Sequence, residues 1–193
     1  MTETDICNLA LDILKEAEIS SINEARPIAR WCKRNFEVER DAALAVAPWV
    51  FAIKRAALPQ GTAPAFGWEY GYTLPADYIR SLGFNYDGGF NYPRIRHQIE
   101  GGVLMTNQGG VANMRYIYRN VNYGAYPATF IRYLAARMAS RAAHWITGKT
   151  SYVQIAAGMM EDARIEAWLA NAIEGDTETP SDDDIITSRY LST

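Results

Sequence analysis

The sequence has few of the residues from which disulfide frameworks, metal sites and membrane spans are built. It contains two cysteines and two histidines among 193 residues. Two cysteines are too few for a disulfide framework or a cysteine-ligated metal, so we expect a reducing compartment and no cofactor. The longest uncharged apolar run, 42–53, is interrupted by Pro48 and is too short to cross a bilayer. The first residues are acidic rather than basic, so we expect neither a secretion signal nor a membrane anchor.

Common catalytic motifs are also missing. There is no Gly-x-Ser-x-Gly elbow and no glycine-rich dinucleotide fingerprint. Gly148-Lys149-Thr150 is similar to the end of a phosphate-binding loop, but Ala143 stands where that motif needs its first glycine. Cys32 lies on an apolar helix face, which favours a buried, unreactive thiol. We therefore predict a protein without catalysis.

Charge is distributed unevenly along the chain, although the net charge is only −3. Residues 78–141 contain eight arginines and two acids, whereas residues 174–184 contain six acids and no base. Arginine outnumbers lysine fifteen to four. Because the guanidinium group suits ion pairs, aromatic stacking and phosphates, this bias indicates contact surfaces. Host codon usage is the alternative explanation.

Hydrophobic periodicity predicts a pair of helices at each end of the chain. The predicted helices cover about 4–18, 27–47, 128–147 and 150–173. Pro27 suits the first position of the second helix, and Pro48 ends it. Gly148 separates the third helix from the fourth.

The middle of the chain carries the β signals. Residues 57–127 hold nine of the twelve tyrosines and most of the glycine and proline. Alternating side chains and glycine turns predict an antiparallel sheet, including a hairpin that turns at Gly101-Gly102. The predicted strands cover 69–74, 94–99, 103–106 and 114–119. We place this β-insertion at about 66–120.

The simplest packing of these elements is a mainly α, α+β fold. The N- and C-terminal helix pairs form a four-helix bundle, and the small antiparallel sheet is inserted between the second and third helices. Residues 1–174 would then be a single domain. Residues 175–193 would be an acidic tether and an extended C-terminal arm, because acids, serine, threonine and proline dominate its first half.

Arginine is interleaved with apolar and tyrosine residues in two predicted strands, at Arg94-Ile-Arg96 and Arg115-Tyr-Ile-Tyr-Arg119. Such a pattern suits contact with nucleic acid through phosphates and base stacking. The alternative is that these arginines pair with acids of a neighbouring protein. The isoelectric point of about 5.5 argues against a dedicated DNA-binding domain and favours protein contact. The candidate residues of either surface are Arg94, Arg96, Arg115 and Arg119.

Two motifs, taken in order with the surrounding elements, resemble a known family. Pro48-Trp-Val-Phe-Ala52 follows a two-helix start, and Tyr70-Gly-Tyr-Thr-Leu-Pro-Ala-Asp-Tyr-Ile-Arg80 precedes an aromatic strand and two helices. This order, over nearly the whole chain, is similar to that of the head-to-tail adaptors of tailed bacteriophages, the tail tubular protein A group. The glycine-rich stretch 83–91 departs from the family pattern. The motif positions are Pro48, Trp49, Phe51, Ala52, Tyr70, Tyr72, Leu74, Pro75, Asp77 and Arg80.

The resemblance implies a structural virion protein of the neck, made in the host cytoplasm, and not an enzyme. Members of the family form a ring, a dodecamer, between the portal protein and the tail nozzle or tube, and genomic DNA passes through the ring. By position, a portal-reaching arm would comprise Asp182, Asp183, Asp184, Ile185, Ile186, Arg189 and Tyr190. A ring needs two unlike faces on each subunit. We therefore expect some arginines of 78–141 to contact acids of the adjacent subunit or the portal.

Two other functions are left open by the residues. One is a nucleic-acid-binding module that uses the strands rich in arginine and tyrosine. The other is a small enzyme on an unfamiliar scaffold that uses Cys32, His97 or the aspartates.

Overall fold

The computed structural model describes residues 1–85 and 95–175. Within these ranges the chain forms four α-helices and two three-stranded antiparallel sheets, which confirms the α+β prediction. The helices are α1 (Glu3–Ile13), α2 (Pro27–Val46), α3 (Ala128–Thr147) and α4 (Thr150–Glu174). The strands are β1 (Ile53–Leu58), β2 (Tyr70–Thr73), β3 (Tyr78–Asn85), β4 (His97–Glu100), β5 (Val103–Thr106) and β6 (Ala112–Tyr118).

Helix α3 is the one against which the other three helices pack. Its buried side includes several alanines, and such small side chains let the neighbouring helices approach closely. These alanines are Ala135, Ala136, Ala139, Ala142 and Ala143. The helix ends at Gly148, whose φ of 63° lies in the left-handed region that favours glycine. The predicted bundle of N- and C-terminal helix pairs is therefore confirmed.

Helix α1 is shorter than predicted, because it ends at Ile13 rather than near residue 18. Lys15 adopts a left-handed conformation with φ of 57°, and its N–H donates to the carbonyl oxygen of Asp12 at 3.0 Å. The N–H of Glu16 donates to the carbonyl oxygen of Leu11 at 3.0 Å, which completes a Schellman motif. Glycine usually occupies the position of Lys15, so the sequence carried no visible stop signal there.

The β-insertion contains two sheets rather than the one predicted, and it begins at Ile53 rather than near residue 66. One sheet has the order β1-β6-β3 and the other has the order β2-β5-β4. Strand β1 lacks the alternation that marks a half-buried strand, so its pairing with β6 was not visible in the sequence. The predicted hairpin is confirmed as β4–β5, and Gly101 and Gly102 both have positive φ at its turn.

Two hydrophobic cores follow from this division. The larger core fills the bundle and reaches Ala52 and Ile117 at the adjoining sheet. The smaller core joins side chains of both sheets, among them Leu58, Tyr72 and Leu104. None of the helices in the described ranges is both long and apolar enough to span a membrane.

Candidate interaction surfaces

The first of the two motifs, Pro48–Ala52, forms the turn that leads from α2 into β1. Trp49 is only 1% exposed, and its indole Nε1 donates a hydrogen bond to the carbonyl oxygen of Ala43 at 2.9 Å. Its ring meets that of Phe130 edge-on with the centroids 5.0 Å apart, and the ring of Phe51 lies 4.8 Å from the same phenylalanine. The aromatic motif positions therefore anchor the turn to α3.

Asn171 of α4 holds the same turn from the other side. Its side-chain oxygen accepts a hydrogen bond from the N–H of Val50 at 2.7 Å, and its amide nitrogen donates to the carbonyl oxygen of Pro48 at 3.2 Å. Sequence analysis missed this residue because an asparagine more than 120 positions away carries no signal of such a contact. Gly175, which directly follows α4, lies beside Val50 of this turn.

Asp77, in the second motif, is a hydrogen-bonding centre between the strands. Its carboxylate accepts hydrogen bonds from Lys54 Nζ at 2.6 Å and from the Tyr116 hydroxyl at 3.0 Å, and its carbonyl oxygen accepts one from the N–H of Arg119 at 2.6 Å. Burial would raise the pKa of Asp77, but the hydrogen bonds from Lys54 and Tyr116 outweigh it and lower the pKa. Burial and the bond to Asp77 raise the pKa of Tyr116 to about 12, so its hydroxyl stays a donor.

The other positions of the second motif shape the β2–β3 connection. Tyr72 is fully buried, and its hydroxyl donates to the carbonyl oxygen of Gly110 at 2.9 Å. The N–H of Leu74 donates to the carbonyl oxygen of Gly102 at 3.1 Å. Tyr70 packs against the smaller core, and the Pro75 carbonyl oxygen accepts from the N–H of Tyr78 at 3.0 Å. These contacts give the motif a structural role.

Arg80, the last motif position, lines an open pocket of about 320 Å³ between the end of α2 and α4. Its buried Nε makes no hydrogen bond to any residue that the structure describes. Arg164 and Trp168 of α4 line the same pocket, and Arg164 donates to Glu161 through Nε at 2.9 Å. The pocket thus combines the guanidinium of Arg80 and the indole of Trp168 with an Arg164 that is already paired with Glu161. Arg80 is the group there that suits an anionic partner.

The structure describes three of the four predicted contact arginines, and Arg96 adjoins a different sheet from Arg115. Arg96 is exposed beside the β2-β5-β4 sheet, and its guanidinium carbon lies 5.3 Å from the centroid of the Trp68 ring. Arg115 lies on β6 in the other sheet, directly opposite Arg55 of β1. Arg94 lies outside the described residues, as do the predicted arm positions Asp182, Asp183, Asp184, Ile185, Ile186, Arg189 and Tyr190.

Arg119 pairs with an acid of its own chain. Its Nε donates to Asp41 of α2 at 2.7 Å, and Arg40 Nε donates to the other carboxylate oxygen of Asp41 at 2.9 Å. The buried Arg40 also donates to the Tyr123 hydroxyl at 3.1 Å, and that hydroxyl donates to Glu3 at 2.7 Å. This network ties β6 to α1 and α2, and Arg119 serves the fold at this position.

Helix α4 presents an apolar face to solvent. Within this helix only Ala156 and Ala167 are fully buried, while six large apolar side chains are between 42% and 86% exposed. They are Ile155, Met159, Ile165, Trp168, Leu169 and Ile173, and we call them the apolar face of α4. Exposed apolar side chains in this number make α4 a candidate interaction surface.

The residues considered for catalysis are not brought together. Cys32 is 2% exposed in the bundle core beside Cys7, and the hydrogen bond with Cys32, together with burial, raises the pKa of Cys7. His97 belongs to the β-insertion, where its ring lies 5.1 Å from that of Phe84, and His144 is exposed on α3. The described part of the chain contains no group of three side chains that could ligate a metal.

Comparison of the chain with models of known protein families gave no match, and comparison with curated proteins gave none either.

Proposed function

We propose that this chain is a head-to-tail adaptor of a tailed bacteriophage, a structural subunit that forms a ring between the portal and the tail. The observation that carries the proposal is the apolar face of α4. Six large apolar side chains of this helix are exposed to water. Contact with another protein would cover them. A subunit of a permanent assembly has this requirement, whereas a free-standing enzyme does not.

The family motifs support the proposal through what they hold in place. Trp49 and Asn171 fix the turn between α2 and β1 against α3 and α4, and Asp77 fixes the strands that follow. The tether begins beside this turn, because Gly175 lies next to Val50. In the proposed ring, this end of each subunit faces the portal and the arm extends from it.

The proposal assigns no reaction to the chain. Genomic DNA would pass through the ring and make transient, sequence-independent contacts with it. The pocket beside Arg80 would serve assembly rather than DNA passage. An acidic segment of the portal or of a neighbouring subunit would bind there.

Purified phage particles test this function directly. We expect mass spectrometry of the particles to find the chain at a fixed ratio to the portal protein, and antibody labelling to mark the neck. Particles assembled without the chain should retain heads and tails that are not joined. Infectious particles that lack the chain, or labelling confined to another part of the virion, would contradict the proposal.

A further inference from the structure

The apolar face of α4 is also acidic. Four carboxylates and one arginine lie between residues 161 and 174 of this helix. Glu161 pairs with Arg164, and Glu166 pairs with Arg132 of α3 at 3.2 Å, whereas Asp162 and Glu174 have no ion pair among the described residues, so the net charge of this side remains negative. The charged residues are Glu161, Asp162, Arg164, Glu166 and Glu174. A partner that covers this face must therefore offer apolar surface together with positive charge.

The structure contains a second surface with those properties. At the start of α2, an open depression of about 410 Å³ is lined by Pro27, Arg30, Lys33, Arg34 and Trp145, and we call it the α2–α3 depression. Trp145 is 51% exposed and stacks on Trp31, with the ring centroids 6.5 Å apart. Residues 26–34 contain four cations and no acid.

The cations of the depression are available for a partner. Arg30, Lys33 and Arg34 are exposed, and in the described ranges none of them has a carboxylate within 4.0 Å. The nearby ion pairs of α2 and α3 use other residues, since Arg137 and Arg141 contact Glu39. The depression therefore combines unpaired positive charge with the face of an indole.

We infer that the apolar face of α4 in one copy of the chain docks into the α2–α3 depression of the next copy. The contact places Ile165 and Leu169 against the indole of Trp145, and the α4 carboxylates beside the α2 cations. Because the two surfaces differ, the association is heterologous and adds subunits in one direction. This inference rests on the proposed function and names the surfaces that join neighbouring subunits of the ring.

Charge selects this occupant among the alternatives. Two α4 faces would bring carboxylates together, and two depressions would bring cations together, so an isologous dimer is disfavoured. The tether of the same chain has five acids between residues 176 and 184. The α4 carboxylates repel these acids, which disfavours the tether as the segment that covers the apolar face of α4. Nucleic acid would be attracted to the depression but would leave the apolar face of α4 uncovered.

Two charge-reversal variants test the inference. One carries Asp162→Lys and Glu166→Lys on α4, and the other carries Lys33→Glu and Arg34→Glu on α2. Sedimentation velocity at protein concentrations up to about 1 mM measures self-association. We expect the wild type to form species larger than a dimer. Each variant alone should associate more than about tenfold more weakly, because like charges then face each other at every contact.

An equimolar mixture of the two variants is the decisive sample. In this mixture the lysines on α4 of one variant face the glutamates on α2 of the other. At the next contact the unchanged α4 of the second variant faces the unchanged α2 of the first, so opposite charges meet at both contacts. We expect the mixture to recover species larger than a dimer, in which the two variants alternate. An isologous contact would stop at a mixed dimer, and a contact elsewhere would leave each variant unaffected. Either result would overturn the inference.

The matched control reverses two exposed acids outside the bundle, through Glu69→Lys and Glu100→Lys. We expect this variant to associate as the wild type does, and circular dichroism to give the same helix content for all three variants. A wild type that stays monomeric at about 1 mM would also overturn the inference. If both α4 and α2 variants still enter phage necks, the inference fails and the proposed function stands. Absence of the chain from particles would instead refute the proposed function.

Discussion

The side chains of Trp49 and Asp77 each contact more than one secondary-structure element. Trp49 combines a buried hydrogen bond with aromatic packing on α3, so it serves both the end of α2 and the start of the β-insertion. Asp77 accepts hydrogen bonds from β1 and β6 while its own backbone lies between β2 and β3. The stability of this junction therefore depends on polar atoms that aromatic and hydrophobic patterns do not reveal.

Replacing Trp49 with phenylalanine removes the Nε1 donor and retains most of the ring packing. The carbonyl oxygen of Ala43 is then left without this partner in a buried site, which costs about 1–3 kcal/mol. We expect urea denaturation to show a loss of unfolding free energy in that range. The control is Trp168→Phe on the exposed side of α4, which should change stability by less than about 0.5 kcal/mol. Equal losses for both variants would contradict the role given to the indole N–H.

The depressed pKa of Asp77 predicts a pH dependence of stability. Since the folded-state pKa lies below the unfolded value, the carboxylate stabilises the fold above the unfolded pKa of about 3.9. This contribution is lost as the pH falls through the folded pKa. We expect Asp77→Asn to lower the unfolding free energy at pH 7 by about 0.5–1 kcal/mol, since the carboxylate is partly exposed.

Urea titrations between pH 7 and 3 measure the difference between Asp77→Asn and the wild type. The two proteins should converge in stability toward the acidic end of this range. Asp12→Asn is the matched control, because the exposed Asp12 side chain makes no ion pair with a described residue. A constant gap between wild type and Asp77→Asn across the whole range would refute the expected linkage.

At the scale of elements, α4 is held by apolar packing on one side and by polar contacts along its length. Ala156 and Ala167 are buried, and Tyr152, Val153 and Met160 pack partly buried against the bundle core. Glu166 pairs with Arg132 of α3 at 3.2 Å, and Asn171 ties the last turns to the Pro48–Ala52 turn. This attachment leaves the apolar face of α4 free on the outside of the bundle. The helix is thus positioned by one side and available for contact on the other.

Substitutions at Asn171 test this attachment at a single amide. Asn171→Ala removes both hydrogen bonds, whereas Asn171→Asp retains an acceptor for the Val50 N–H. We expect hydrogen exchange at the Val50 amide to be faster in Asn171→Ala, by about fivefold for a net bond of about 1 kcal/mol. Exchange in Asn171→Asp should remain near that of the wild type. If the Val50 amide exchanged at the wild-type rate in both variants, the role given to the Asn171 side chain would be wrong.

At the scale of the whole molecule, a helical core and a β core share one chain and meet at β6. Ile117 belongs to the bundle core, while Met114 and Tyr116 of the same strand belong to the smaller core. Strand β6 is the central strand of its sheet, paired with β1 and β3. Its Ile117 lies in the bundle core, so this strand links the sheet to the bundle. The residues of both cores that the structure describes all lie before residue 176.

Truncation after Gly175 should therefore preserve the fold. We expect the shortened chain to unfold in a single transition, with a Tm within a few degrees of the wild type, in differential scanning calorimetry. Under the proposed function, it should no longer co-elute with the portal protein of the same phage. Loss of cooperative unfolding would show that the last 18 residues belong to the core and would contradict the prediction of a separate arm.

The sequence determined the features that depend on neighbouring residues. Pro27, Pro48 and Gly148 set ends of α2 and α3 because they restrict or release local backbone angles. Gly101 and Gly102 determined the β4–β5 turn for the same reason. Periodicity gave the type and approximate length of each helix, since one turn of helix repeats every 3.6 residues.

Only the tertiary structure decided the features that depend on distant partners. The division into two sheets, the Arg119–Asp41 ion pair and the hydrogen bonds of Asn171 each join residues that are far apart in the chain. The exposed side of α4 belongs with them. Apolar residues occur all around this helix, so its sequence did not indicate which side packs on α3. In the folded protein Ala156 and Ala167 are buried, Tyr152, Val153 and Met160 pack partly buried on the core, and six large apolar side chains stay exposed.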